Sequence, residues 1–161
     1  MQKKLTAVLI VLVLSAALIG CDTDIGPEKD GSGDTYSTQQ RNSSIEYSIY
    51  MNKQIVVFAN QLNARVTAVN NMKKSYYSDE AEMAKQSLKT LKETRDEVDV
   101  TYPSVGQDEN RLTTLKAMDT TLHDFEEYIK ALEAGNDVSG YIDIFMNDYN
   151  QLTGLANLYN Q

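Results

Sequence analysis

The chain has one cysteine, one histidine, two prolines and no tryptophan in its 161 residues. A single cysteine excludes a disulfide within the chain and every zinc site built on several thiolates. A single histidine, His123, excludes the di-iron bundle pattern, which needs two Glu-x-x-His pairs. Position 120, where the glutamate of such a pair would stand, is Thr120. There is no Gly-x-Ser-x-Gly elbow and no glycine-rich phosphate loop, so hydrolase and nucleotide chemistry have no recognisable seat. Basic residues are outnumbered 15 to 23, giving a net charge of −8. A surface of that sign repels nucleic acid and anionic lipid. These absences make enzymatic activity, a resident cofactor or metal, and nucleic acid as a partner unexpected.

What is present begins with an address. Lys3 and Lys4 precede an apolar stretch, Leu5 to Gly20, broken by Thr6 and Ser15. A basic head and a short apolar core form the pattern of a secretory signal, and the stretch is short for a membrane span of about 20 residues. It ends in Leu18-Ile19-Gly20-Cys21, which resembles the lipobox of bacterial lipoproteins. The resemblance covers residues 1–21 and no more. It implies a diacylglyceryl group on the Cys21 thiol and cleavage between Gly20 and Cys21. Asp22 is similar to an inner-membrane retention signal of enterobacterial lipoproteins. Each buried acyl CH₂ contributes about 0.8 kcal/mol, and two chains hold stably where one does not. Cleavage would remove Lys3 and Lys4, leaving 13 basic against 23 acidic residues, a net of −10. Lipid on Cys21, rather than a basic patch, is then the expected membrane contact, on the extracytoplasmic face.

Residues 21–43 carry Gly26, Pro27, Gly31 and Gly33 among serines, threonines and acids, with no apolar periodicity. Such a composition buries too little to offset ordering and is expected to act as a flexible tether. Its paired aspartates lack the spacing of a calcium loop.

From residue 44 to 161 the pattern changes to helical spacing. Met51, Ile55, Phe58, Leu62, Val69, Met72 and Tyr76 make one stripe, with Arg65 filling a seam position. Ala84, Leu88, Leu91, Arg95, Val98 and Tyr102 make a second. Leu112, Leu115, Met118, Leu122, Phe125, Ile129 and Leu132 make a third, and Val138, Ile142, Phe145, Tyr149, Leu152, Ala156 and Tyr159 a fourth. Intervals of three and four mark amphipathic helices. Asp79 with Glu82 reads as the start of helix two, Tyr102-Pro103 as its stop, and Ser104 with Gln107 as a capping box for helix three. Gly135-Asn136 supplies a left-handed stop, and Asp137 or Ser139 a cap for helix four. Short connections join antiparallel neighbours. The expected fold is all-α, an antiparallel up-down-up-down four-helix bundle, with a first helix near 50 Å long at about 1.5 Å per residue.

Three groups of residues are candidates for something more. Arg65 and Arg95 sit on apolar seams. Packed stems with heads reaching water or a glutamate are the expected arrangement, and a buried pair that fixes register is the alternative. Asp119, His123 and Glu127, with Glu126 beside them, make a row on helix three that reads as a solvated face rather than a metal site. Tyr76 and Tyr77 at the end of helix one and Tyr141 at the start of helix four are expected to meet at the bundle end far from the tether. There Lys73, Lys74, Asp79, Glu80, Glu133 and Asp137 surround them. Tyrosine suits recognition surfaces because it offers area and a polar handle at small entropic cost, so this tip is the candidate contact site. The sequence thus points to a lipid-anchored, extracytoplasmic helical bundle that binds or scaffolds an envelope protein. A small-molecule sensor or carrier working with a membrane partner is the alternative, and a metal-handling or hydrolytic protein comes third.

Overall fold

A computed structural model describes residues 44–70, 72–103 and 108–160. The leader, the Leu18–Cys21 lipobox, the tether and the Ser104–Gln107 capping box lie outside the described residues. Four helices account for most of the described chain: α1 (Ser44–Val69), α2 (Tyr77–Val100), α3 (Asp108–Glu133) and α4 (Tyr141–Ala156). Single 3-10 turns cover Lys74–Tyr76 and Asn157–Tyr159. The fold is all-α, and the helices pack as a ring in which α1 lies most extensively against α4, and α2 against α3.

Cross-helix pairs fix the directions. From α1 to α2 the partners are Tyr50 with Thr101, Gln61 with Ser87 and Arg65 with Glu80. From α2 to α3 they are Lys85 with Glu133, Lys92 with Glu126 and Arg95 with Asp119. From α3 to the C-terminal segment they are Thr114 with Tyr159, Phe125 with Phe145 and Tyr128 with Tyr141. In every set the number falls on one helix as it climbs on the other, so neighbours run antiparallel. The salt bridges of the second set lie on the outside and hold α2 and α3 in register at little net gain.

The expected stripes meet in the middle. Met51, Ile55, Phe58 and Leu62 of α1, Leu91 and Val98 of α2, Met118 and Phe125 of α3, and Phe145 and Leu152 of α4 are all buried. Full burial of side chains of this size stabilises by roughly 1.5–3 kcal/mol each, which is why one stripe per helix suffices to specify the ring.

Several boundaries differ from expectation. α1 ends at Val69, not at Tyr76, and its 26 residues span about 39 Å rather than 50. The break follows Asn70, whose neighbour at 71 is a second asparagine. Asparagine competes with the helix by bonding locally to backbone. Tyr77 therefore opens α2 instead of closing α1, and it is buried. Asp79 and Glu80 fall inside the first turn of α2, where carboxylates complement the positive end of the helix. Leu112 is 53 % exposed, and the buried row of α3 runs instead through Arg111, Thr114 and Leu115. Tyr102 lies past the end of α2 with the Arg111 guanidinium 4.4 Å above its ring. Neither Asp137 nor Ser139 caps α4. Asp137 accepts the Ser139 backbone N–H and hydroxyl, both at 3.0 Å, one turn ahead of it.

The stop after α3 is as expected. Gly135 has φ 69°, a conformation open to glycine at no steric cost. Its N–H donates to the Leu132 carbonyl and the Asn136 N–H to the Ala131 carbonyl, the pair of bonds that closes a Schellman motif.

Candidate functional site

The bundle end opposite the start of α1 gathers the α1–α2 connection, the α3–α4 connection, the start of α2 and the end of α3. Lys74 donates its ammonium to the Gly135 carbonyl at 2.7 Å and so ties the two connections together.

Beneath this tie lies an aromatic cluster. Tyr128 of α3 is fully buried. Its ring stands 5.2 Å from Tyr141 and 5.2 Å, edge to face, from Phe145, which in turn lies 5.0 Å from Phe125. Tilted and edge-to-face pairs of this kind add about 0.5–1.5 kcal/mol each beyond area burial.

The hydroxyl of Tyr128 donates at 3.0 Å to Oε1 of Glu80, which also receives Nη1 of Arg65 at 2.7 Å. The two charged side chains are 2 % and 9 % exposed. Burial pushes the Glu80 carboxyl up from its usual range even though Arg65 and Tyr128 both pull it down. Burial and the Glu80 charge push the Tyr128 hydroxyl up well beyond its ordinary value. Nε of Arg65 is buried and unpaired. The head of Arg65 thus reaches a glutamate, but in the alternative arrangement, a buried ion pair that with Tyr128 joins α1, α2 and α3. The reason is the early end of α1, which brings Glu80 back over Arg65. Arg95 does follow expectation. Its side chain is 24 % exposed and its head reaches Asp119 and Asp99 at 2.8 and 2.7 Å.

The three tyrosines of the expected tip do come to this end, but they differ in what they offer. Tyr76 is 58 % exposed, Tyr77 is 7 % exposed, and Tyr141 is half-buried against Tyr128. Lys73, Lys74, Asp79, Glu133 and Asp137 are exposed, whereas Glu80 is buried. Tyr128 and the inward turn of Glu80 were not legible as a pair, because they are 48 residues apart. Arg111, buried and bonded to Asp108 and to the Asp99 carbonyl at the other end, was likewise missed.

On α3, His123 is exposed. Asp119 is taken by Arg95, Glu126 by Lys92 and Glu127 by Lys130. Among the described residues, no group of three or more acidic, histidine or cysteine side chains is placed to hold a metal ion. Likewise, no helix among them is long and apolar enough to cross a membrane. Two surface depressions, one along Lys85, Leu88 and Lys92 and one along Gln61, Arg65 and Ser87, are both open grooves on the flanks of α2.

Comparison with protein-family models, with curated proteins and with solved structures finds no match for the chain.

Proposed function

We propose that this is a lipid-anchored protein of the extracytoplasmic face, whose helical bundle binds or scaffolds another protein of the cell envelope. The observation that carries the reading is Leu18-Ile19-Gly20-Cys21, placed directly after a basic head and an apolar core. Two features of the bundle support it. The grooves described above are open, which suits contact with a surface better than enclosure of a small molecule. The end opposite the start of α1 is stiffened by the Lys74–Gly135 tie and carries Tyr76 on its outside. A fixed surface loses little entropy on docking, and an exposed tyrosine is a suitable anchor.

The test is crosslinking in the native envelope followed by capture of the lipidated protein, comparing wild type with the double variant Tyr76→Ala and Lys73→Ala. Both positions are exposed, so the core is untouched, unlike in a Tyr77 variant. A partner captured by wild type and lost in the variant supports docking at the tip. A partner retained moves the site to a helix flank. Capture of no protein by wild type refutes the docking reading and turns attention to the sensor or carrier alternative.

A further inference from the structure

α3 and α4 meet across a pair of like-charged side chains. Asp148 of α4 is 3 % exposed, and its Oδ2 is buried with no hydrogen-bond partner. Facing it from α3 are half-buried Asp124 and fully buried Thr121. Thr94, Thr114 and Thr153 each give the hydroxyl to the carbonyl four residues earlier in their own helix. Thr121 does not. Its hydroxyl has no partner in bonding geometry and stands toward Asp148.

Few other charges reach this pair. Asp148 feels Asp124 and Thr121 from α3. Asp124 feels Asp148 from α4 and, on its own helix, the exposed His123 and the Glu127 carboxylate, and the half-buried Tyr141 of α4 feels the Asp124 charge in turn. No charged group of α1 or α2 is among the described side chains that act on either one. Two carboxylates sharing a site resist ionising together. A single proton turns their repulsion into a charge-assisted O–H···O⁻ bond and gives the orphaned Oδ2 a partner.

We propose that Asp124 and Asp148 form a proton-held clasp across the α3–α4 seam, closed while the pair holds a proton and opened when both carboxyls are ionised. Burial first, and the charge of Asp124 second, push the Asp148 carboxyl up to about 6, and burial raises Asp124 as well. The two titrate as a unit. The sign follows from the proton count. Between an ordinary aspartate value of about 3.9 and about 6, the folded chain keeps a proton that the unfolded chain has released. The clasp therefore contributes fully below about pH 4, and the contribution is lost as the pH rises through about 6. Asp124 lies one turn before Tyr128 and Asp148 one turn after Phe145, so the opened seam runs directly beneath the aromatic cluster. It makes the packing of that end a function of pH.

The experiment is thermal unfolding of the full chain, wild type against Asp148→Asn, at about pH 5 and about pH 7.5. The amide keeps the shape and carries no charge. Asp148→Asn should melt about 5–10 °C above wild type at the higher pH and within about 2 °C of it at the lower. Comparing variants cancels the opposite trend of the exposed ion pairs. Carboxyl carbon NMR on wild type needs no variant to fold. Asp148 should titrate with a midpoint near 6, and the midpoint should fall in Asp124→Asn. An Asp148 midpoint in the ordinary aspartate range, or a difference in melting temperature that does not change with pH, overturns the clasp. So does a rise in melting temperature with millimolar calcium at neutral pH that Asp148→Asn abolishes, since a metal rather than a proton would then hold the seam.

Discussion

Removing Arg65 alone should be far more damaging than removing Arg65 and Glu80 together. The guanidinium and carboxylate are 2.7 Å apart and almost wholly shielded from water. Desolvation of such a pair rivals its attraction. In this site desolvation prevails, because the Glu80 carboxyl is raised despite two donors. Arg65→Met strips the main counter-charge and leaves Glu80 with Tyr128 only. Breaking a buried pair in this way costs about 3–5 kcal/mol, roughly a fifth or more of the 5–15 kcal/mol that holds a domain of this kind folded. Arg65→Met combined with Glu80→Leu removes the orphan and fills the space with apolar volume, so it should lie near wild type or above it. Urea unfolding followed by helix ellipticity reads both, with an unchanged slope showing that the folded state is intact. The cost of Arg65→Met should shrink in acid, where Glu80 can take a proton. A single variant that costs under about 1 kcal/mol, or a double variant as damaged as the sum of the singles, would refute the claim that burial outweighs attraction here.

Phe145→Ala should cost about 3–5 kcal/mol in the same assay, because Phe145 is fully buried and touches Phe125, Tyr128 and Tyr141. Gly135→Ala should cost about 1–2 kcal/mol through its left-handed backbone alone, since an added Cβ meets nothing within 4 Å. A larger loss would mean that the Lys74 tie goes with it. His123→Ala should change stability by less than about 0.5 kcal/mol, as for an ordinary surface site. A clear loss would show that the imidazole supports Asp124. Cys21→Ser should leave the protein unlipidated and either free of the membrane or held as precursor. Unchanged mass and membrane fractionation would end the lipobox reading.

The sequence carried the architecture because each helix has a single apolar stripe, and spacing along a chain reports which residues share a face. The fourth stripe is the clearest case: Val138, Phe145, Leu152 and Tyr159 are all buried. Gly135 was equally legible, since a left-handed stop has a strong residue preference. The tip was legible only in part. Helical spacing continues formally through Met72 to Tyr76, so periodicity alone carried α1 past the asparagines that end it. That shift of about two turns moved Tyr77 and Glu80 from the outside to the inside.

Composition and periodicity by themselves determined the all-α class, the antiparallel order of helices and the acidic balance of charge. They did so because these are properties of local spacing and of residue type. Only the tertiary structure decided which polar side chains are buried with which partners. Arg65, Glu80 and Tyr128 come from three helices, and Thr121, Asp124 and Asp148 from two. A charge on an apolar stripe looks the same in the sequence whether its partner is water or a carboxylate. The difference arises only when the helices pack and water is excluded from the seam.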